Sequence, residues 1–326
     1  YTSGFYADGS YLDHSHVPYL GSYGIEFLKG GVGLPPLLAK SPWDFPREVQ
    51  ENLEFYLKEG FLNGIYNGLM MDSLKGRSVS RPGASDRDSG REAMALMIQL
   101  MNSVSPEVEE ELKGALKMWI DLDPGFLDTL TGAENMAVKE KAIEIRDDDS
   151  IVSSIQPVHK NMPLMDRAVH RTDDFQLALS MYSERIQNTE IMNHENRYGW
   201  HQGSGMTYLY NRDVLQYTEN FWNTVNPLRL AGTTVVSKDI GTGQPDSSGF
   251  AQGGDFRSKE SWVGGSTIGT NGINGMSMTG EVRVKEGEGS PSIPYAPEFS
   301  AKKSWFMFGG QIVCLGAGIT NSGESY

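Results

Sequence analysis

Apolar side chains in the first 150 residues recur with the period of helices. The pattern Ser89-Gly90-Arg91-Glu92 is typical of a capping box, in which a hydroxyl and a carboxylate satisfy free amides at a helix start. The apolar positions behind it are Met94, Met97, Ile98 and Met101. A methionine stripe can serve as a binding surface. Because its spacing is helical, we predict instead that it packs against a core.

Two further helices are predicted before residue 150. One begins at Ser105-Pro106, with proline in its first turn, and ends at Asp123-Pro124-Gly125. The acids at its end do not match a calcium loop, because glycines stand where two oxygen ligands are needed. The other helix covers roughly residues 134–146. Residues 147–150 carry three consecutive aspartates, which indicates a solvated connection, and we place a domain boundary near residue 150.

Beyond residue 150 the pattern changes to the two-residue period of strands. In residues 175–181 apolar side chains alternate with polar or small ones, which predicts a strand with one buried face. Residues 305–308 and 312–315 flank Gly309-Gly310 and predict a hairpin. Gly241-Thr242-Gly243 does not open a helix after a strand, so it is not interpreted as a dinucleotide loop. The sequence therefore predicts an α+β, multidomain protein whose second part is a large antiparallel sandwich.

Composition and charge restrict the class of protein. The 326 residues are 38% hydrophobic and 21% charged, which is typical of a globular chain. No apolar run is long enough to span a membrane. The net charge of −14 argues against nucleic acid as a partner. An acidic polymer as partner would require locally concentrated cations, and residues 75–91 contain five of them. Cys314 is the only cysteine, so an internal disulfide is impossible.

The stretch with the most chemical information covers residues 8–24, DGSYLDHSHVPYLGSYG. His14 and Tyr23, two groups that can move protons, are nine residues apart with Pro18 and Gly21 between them. Proline and glycine disfavour one uninterrupted helix, so a bend can turn both side chains toward one point. From the spacing alone, a half-buried tyrosine and a hydrogen-bonded histidine are the simpler interpretation. A metal site on His14 and His16 is another alternative, without a third ligand at a convincing spacing.

Four short blocks of the sequence carry a family resemblance. They are residues 8–24, 71–81 (MDSLKGRSVSR), 192–200 (MNHENRYGW) and 205–211 (GMTYLYN), with a weaker match at 303–308. Together, in this order, they resemble the polysaccharide lyases that cleave hyaluronan, chondroitin and xanthan. The resemblance implies the end of an incomplete α/α toroid in residues 1–150 and the first part of an antiparallel β-sandwich in residues 151–326. It also implies one segment of a larger enzyme, whose remaining segments are partners of this chain.

The resemblance further implies a reaction and roles for five residues. In a uronate unit, β-elimination removes the C5 proton and expels the substituent at O4. Tyr23 is implied as the base and as the acid that protonates O4, with Arg77 lowering a phenol pKa that is otherwise about 10. His14 is implied to assist at C5 or to hold the carboxylate, and its neutral imidazole is the alternative base. Glu195 is implied to orient Arg77, and Arg81 to contact an acidic group of the substrate. No metal or cofactor is implied.

The resemblance leaves the substrate and the completeness of the site open. Glucuronate substituted at O4 occurs in all three polymers, and residues 199–211 and 226–234 resemble the hyaluronate and xanthan branches more than the chondroitin branch. The order xanthan, then hyaluronan, then chondroitin depends on Arg81, which is expected to meet the pyruvyl acid on the terminal mannose of xanthan. The family's catalytic asparagine and cleft aromatics lie upstream of residue 14, and no asparagine occurs among residues 1–13, so we expect activity only together with the other segments. The alternative from another class is a non-catalytic module that binds acidic polysaccharide. We expect a secreted, extracellular protein.

Overall fold

The computed structural model describes residues 2–38, 41–236, 256–280 and 296–322. Helices dominate its first part: α1 (Tyr23–Val32), α2 (Pro35–Leu38), α3 (Arg47–Phe55), α4 (Leu62–Gly64), α5 (Asp86–Leu100), α6 (Pro106–Leu122), α7 (Phe126–Thr129) and α8 (Met136–Asp147). A π turn, Tyr56–Phe61, joins α3 to α4. The 3₁₀ turns are Asp72–Leu74, Gly76–Ser80, Met101–Ser103, Ala133–Asn135 and Pro163–Met165.

Short strands also occur among these helices, so the prediction that the first 150 residues are helical is only partly right. The strands are β1 (Gly4–Phe5), β2 (Tyr11–Asp13), β3 (Val17–Pro18), β4 (Ile65–Tyr66) and β5 (Leu69–Met70). The first three form one antiparallel sheet and the last two form a hairpin. Strands of two or three residues bury too few side chains to produce a recognisable period in the sequence.

The described residues of the second part form two four-stranded antiparallel sheets, each with its strands in chain order. The first consists of β6 (Val158–Met162), β7 (Arg167–Arg171), β8 (Gln176–Ser180) and β9 (Met206–Tyr210). The second consists of β10 (Val263–Ile268), β11 (Asn271–Gly280), β12 (Ala296–Phe308) and β13 (Gln311–Asn321), and the short α9 (Phe221–Thr224) lies between the sheets in sequence. Phe308 pairs with Gln311 across Gly309-Gly310, which confirms the predicted hairpin.

The first sheet is the middle of three layers. Leu177 and Leu179 belong to an apolar cluster with Met276 and Trp305 of the second sheet, whereas Ala178 belongs to the core shared with the helices. Every residue of β8 is therefore buried. The strand predicted in residues 175–181 is present, but the prediction of one buried face is wrong, because helices cover the face that carries the small and polar residues.

The helix predicted behind a capping box at residue 89 begins earlier. The observed N-cap is Ser85, whose hydroxyl accepts from the amide of Asp88 while the Asp88 carboxylate accepts from the amide of Ser85. Ser89 is a buried residue inside α5, so the predicted cap is wrong. The same pattern of a serine hydroxyl followed three residues later by a carboxylate occurs at Ser85 and Asp88, four residues upstream. Ser85 is the cap because its backbone is extended. The four stripe residues behind Ser89 are buried, as predicted.

The other helix predictions agree with the structure within two residues. Proline 106 opens α6, which ends before Asp123, and α8 covers Met136–Asp147. Residues 147–150 are exposed, and the last three of them lie between α8 and β6. The domain boundary near residue 150 stays a prediction. Gly241-Thr242-Gly243 lies outside the described residues. No helix in the described ranges is both long and apolar enough to cross a bilayer.

Candidate active site

The β2–β3 hairpin presents His14 in its three-residue loop. His14 and Ser15 have φ of +46° and +67°, a left-handed conformation that residues other than glycine rarely adopt. The Asp13 carboxylate accepts from the amide of His14 at 2.7 Å. The loop is also attached to the segment after β8, because the amide of Gln187 donates to the carbonyl of His16 at 3.0 Å. These contacts hold the imidazole of His14 against that segment.

Two glycines bring Tyr23 and Arg77 to the same point. Tyr23 is the first residue of α1, and it follows Gly21, where a Cβ would meet a packed methionine at 2.5 Å. Arg77 lies on the 3₁₀ turn Gly76–Ser80, in which Gly76 has a φ of +54°. The ring of Tyr19 packs so closely on Gly76 that any Cβ there would collide with it. Both approaches therefore require glycine.

Tyr23, Arg77 and His14 form the centre of the site. Nη2 of Arg77 donates to the hydroxyl of Tyr23 at 3.1 Å, and the ring centres of His14 and Tyr23 are 5.2 Å apart. Tyr23 is half-buried, whereas the side chain of Arg77 is only 3% exposed. The structure thus brings together the two proton-moving groups singled out by their spacing and places the guanidinium beside the phenol. Their catalytic roles stay predictions.

Glu195 binds both arginines that the sequence singled out. Its Oε2 accepts from Nε of Arg77 at 2.7 Å and from Nη2 of Arg81 at 3.0 Å, while its Oε1 accepts from Nε of Arg81 at 2.5 Å. Burial alone would raise the pKa of Glu195, but hydrogen bonds from Arg81 and Arg77 outweigh burial and lower this pKa. Glu195 is therefore ionised and in contact with Arg77, and it also binds Arg81, which was not predicted. Its role in orienting Arg77 stays a prediction.

Glu190 and Tyr19 complete the centre and were missed by the sequence analysis. Glu190 accepts a hydrogen bond from Nη1 of Arg77 at 2.5 Å, lies 2.5 Å from Nδ1 of His14 and accepts a hydrogen bond from the hydroxyl of Tyr19. It is 4% exposed. The sequence feature that pointed to Glu190 is its position as an acid just upstream of the matched block at residues 192–200. The sequence does not determine which contacts Glu190 and Glu195 each make, because these depend on how the chain folds between the two acids.

Tyr19 and Tyr23 touch the same arginine in opposite environments. Tyr19 is fully buried, and its hydroxyl accepts from Nη1 of Arg77 at 2.9 Å while donating to Glu190. Burial, followed by the charge of Glu190, raises the pKa of Tyr19 above its usual value. Tyr23 accepts from Arg77 and has no carboxylate among its described hydrogen-bond partners. Tyr19 is therefore kept protonated as a donor to Glu190, whereas Tyr23, the predicted base, contacts the same arginine without a carboxylate among its described hydrogen-bond partners.

Two family models match most of the chain. The polysaccharide lyase family 8 N-terminal alpha-helical domain matches residues 1–118, and the super-sandwich domain of the same family matches residues 157–325. The chain belongs to polysaccharide lyase family 8. This membership confirms the predicted family and the predicted fold, a helical part followed by an antiparallel sheet part.

Relatives of this family 8 chain carry three different substrate names. A hyaluronate lyase of Thermasporomyces composti is 35% identical over 97% of this chain, and the match covers 38% of its own length. A xanthan lyase of Bacillus sp. (strain GL1) is 36% identical over 98% of this chain, and the match covers 32% of its own length. The Paenibacillus xanthan lyase structure has a TM-score of 0.79 at 35% identity, over 98% of this chain and 28% of its own. The structure of a Streptomyces coelicolor A3 chondroitin AC lyase in complex with chondroitin sulphate has a TM-score of 0.82 at 32% identity. This match covers 98% of the present chain and 42% of the chondroitin AC lyase. The chain spans less than half the length of each of these relatives.

Each of the five cations of residues 75–91 in this family 8 chain pairs with a carboxylate. Their carboxylate partners are Asp72 for Lys75, Glu190 and Glu195 for Arg77, Glu195 for Arg81, and Asp123 for both Arg87 and Arg91. The side chain of Lys75 is moreover fully buried. Five cations share four carboxylates, so these residues supply much less free positive charge than their number suggests.

The described residues offer no metal cluster. Within them, no group of three or more His, Cys, Asp or Glu side chains could hold an ion. His14 and His16 have separate partners, since Nδ1 of His14 contacts Glu190 and Nδ1 of His16 contacts the carbonyl of Arg185 at 2.7 Å. The metal site considered on these two histidines has no support in this arrangement.

Proposed function

We propose that this family 8 chain carries the catalytic centre of a lyase that cleaves the bond at O4 of a glucuronate residue in an acidic polysaccharide. The supporting observation is the 3.1 Å contact between Arg77 and the hydroxyl of Tyr23, next to the ring of His14. The names of the relatives, which are hyaluronate, xanthan and chondroitin AC lyases, support an acidic polysaccharide as the substrate class.

The proposed reaction uses one phenol twice. The phenolate of Tyr23, stabilised by the guanidinium of Arg77, takes the proton from C5. The electron pair of the C5–H bond forms the C4–C5 double bond, and the C4–O4 bond breaks. The phenol then returns the proton to O4 of the departing sugar. No oxidant, reductant or water is consumed, and the product ends in a C4–C5 unsaturated uronate.

His14 and the two glutamates serve this step in different ways. The carboxylate of Glu190 at Nδ1 favours the imidazole tautomer that is protonated there, so Nε2 of the neutral ring is an acceptor. In that state His14 is the alternative base, and when protonated it can neutralise the uronate carboxylate. Glu190 and Glu195 hold Arg77 from two sides and thereby orient it toward Tyr23. We propose that a further donor from outside these 326 residues completes the neutralisation of the substrate carboxylate.

The substrate within this class is also a proposal. Xanthan ranks first, then hyaluronan, then chondroitin, because Arg81 lies at the outer side of the site, where an acid on a terminal sugar can reach it. Secretion into the extracellular medium follows from a polymeric substrate, which cannot enter a cell intact.

The experiment is incubation of the complete enzyme with each of the three polymers. Ultraviolet absorbance of the conjugated C4–C5 double bond measures the product, and chain length measures cleavage. We expect absorbance to rise with at least one polymer. Binding of all three polymers without any rise in absorbance would instead assign the chain to non-catalytic recognition of acidic polysaccharide.

A further inference from the structure

One short turn connects the elements that carry Tyr23 and Arg77. It is the 3₁₀ turn Asp72–Leu74, which ends three residues before Arg77. The carbonyl of Leu74 accepts a hydrogen bond at 2.9 Å from the amide of Gly21, which lies two residues before Tyr23. The phenol and the guanidinium are therefore attached to the same turn from two sides, and a displacement of the turn changes the distance between them.

Two buried residues of the first sheet bind this turn. Nε of Arg167, the first residue of β7, donates to the carbonyl of Ser73 at 2.8 Å. The hydroxyl of Tyr210, the last residue of β9, accepts from the amide of Asp72 at 3.0 Å. Because both side chains are buried, solvent does not readily replace either contact. The sheet part of the chain thus fixes the position of a turn that belongs to the helical part.

Arg167 is a buried cation whose described hydrogen bonds all go to backbone carbonyls. Its Nη1 donates to the carbonyls of Met181, Asp166 and Met165 at 2.8, 3.2 and 3.3 Å. Burial lowers the pKa of Arg167 from 12.5 to about 10, so the guanidinium stays charged at neutral pH. One rigid fork therefore connects three carbonyls of the sheet part to the carbonyl of Ser73. A lysine cannot make this connection, because its three donors lie on a single nitrogen.

Arg171 has the same chemistry without the connection to the turn. It lies four residues further along β7, on the same face of the strand, and is also buried. Its guanidinium donates to the carbonyls of Leu62 and Gln156 at 2.9 and 3.0 Å, and its other described contacts are to amide side chains. None of these hydrogen bonds reaches residues 72–80. Arg171 therefore provides a measure of what altering a buried arginine of β7 costs when the turn is left alone.

We propose that Arg167 is a positioning residue of the catalytic centre, which holds the turn Asp72–Leu74 and thereby keeps the guanidinium of Arg77 at hydrogen-bond distance from the hydroxyl of Tyr23. Tyr210 assists through the second contact with the same turn. The rate then depends on how the sheet part packs against the helical part, because a misplacement of about 1 Å can lower a rate on the order of 100-fold. This inference rests on the proposed lyase function, since it concerns the geometry of the same centre.

The test compares two matched substitutions in the complete enzyme. Arg167→Lys keeps the positive charge but cannot bind Ser73 and the carbonyls of the sheet part together. We expect kcat to fall on the order of tenfold or more with KM little changed, and a crystal structure of the variant to show Arg77 beyond hydrogen-bond distance from Tyr23. Arg171→Lys should keep the parental kcat and the 3.1 Å contact, even where urea unfolding shows that both variants lose the same stability.

A milder variant keeps the test decisive if Arg167→Lys does not fold. Tyr210→Phe removes only the hydroxyl that accepts from Asp72, and kcat should again fall while KM stays close to the parental value. A parental kcat in Arg167→Lys, or in Tyr210→Phe where the first variant does not fold, overturns the proposal, as does an equal fall in Arg171→Lys. If the parent enzyme yields no unsaturated product from any polymer, the proposed function fails, whereas a longer Arg77–Tyr23 distance in Arg167→Lys still supports the positioning role.

Discussion

Replacing Asp86 by asparagine should stabilise the protein at neutral pH. Asp86 opens α5, is 1% exposed and accepts from the hydroxyl of Thr218 at 2.6 Å and from the amide of Arg87 at 2.8 Å. Its second oxygen has no hydrogen-bond partner among the described residues. The nearby Lys75 donates instead to Asp72, at 3.1 Å. Burial, followed by the charge of Asp72, raises the pKa of Asp86 to about 6.

The sign and size of the effect follow from this pKa. A carboxyl whose pKa rises from 3.8 to about 6 on folding contributes stability below pH 3.8, and this stability is lost as the pH rises through about 6. The shift is roughly two pKa units, each equivalent to about 1.4 kcal/mol, so ionised Asp86 costs at most about 3 kcal/mol. Asparagine keeps an acceptor for Thr218 and never ionises. Asp86→Asn should therefore gain up to about 3 kcal/mol over the parent protein at pH 8 and little at pH 4.

Urea unfolding of both proteins between pH 4 and 8 measures this difference. The two proteins share every other titrating group, so the difference between their free energies of unfolding isolates Asp86, provided that the denaturant slopes agree. Asp121→Asn, at an exposed position near the end of α6, is the matched control and should show no such dependence. A gain that is the same at every pH, or a loss at pH 8, would refute the reasoning.

Three other outcomes are expected. Tyr23→Phe should lower turnover by about 10²–10⁴-fold in the absorbance assay while binding of oligosaccharide persists; unchanged turnover would return the base role to the imidazole. Gly76→Ala should cost about 1–3 kcal/mol in urea unfolding and lower kcat, because the methyl collides with Tyr19 and shifts Arg77; parental kcat would contradict this. Burial, then a neighbouring histidine, lowers the pKa of His159 from 6.5 to about 4, so its contribution to stability is lost as the pH falls from 6.5 to 4. His159→Gln should reduce the loss in the free energy of unfolding between pH 6.5 and 4 by up to about 3 kcal/mol. If the parent and the variant lose the same free energy over this range, the contribution of His159 is excluded.

Local features of this protein could be predicted from the sequence because their causes lie close together along the chain. Proline 106 and the apolar period behind it determine α6, and the glycine pair at residues 309–310 determines the turn between β12 and β13. The nine-residue spacing of His14 and Tyr23, together with three further ordered blocks, was sufficient to predict the family. Each of these signals needs no knowledge of what packs against the residues concerned.

The tertiary structure alone decided which groups surround the arginine. Glu190 is 113 residues from Arg77 in sequence, and the turn at residues 192–195 determines that it reaches the buried face while Glu195 bridges to Arg81. Tyr19 and Tyr23 differ in what covers them, so no local pattern distinguishes the buried phenol that donates to Glu190 from the half-buried phenol proposed as the base. The burial of both faces of β8 and the pairing of the four arginines in residues 75–91 with carboxylates have the same origin. Burial and charge pairing depend on contacts between distant segments, and those contacts exist only once the layers have packed.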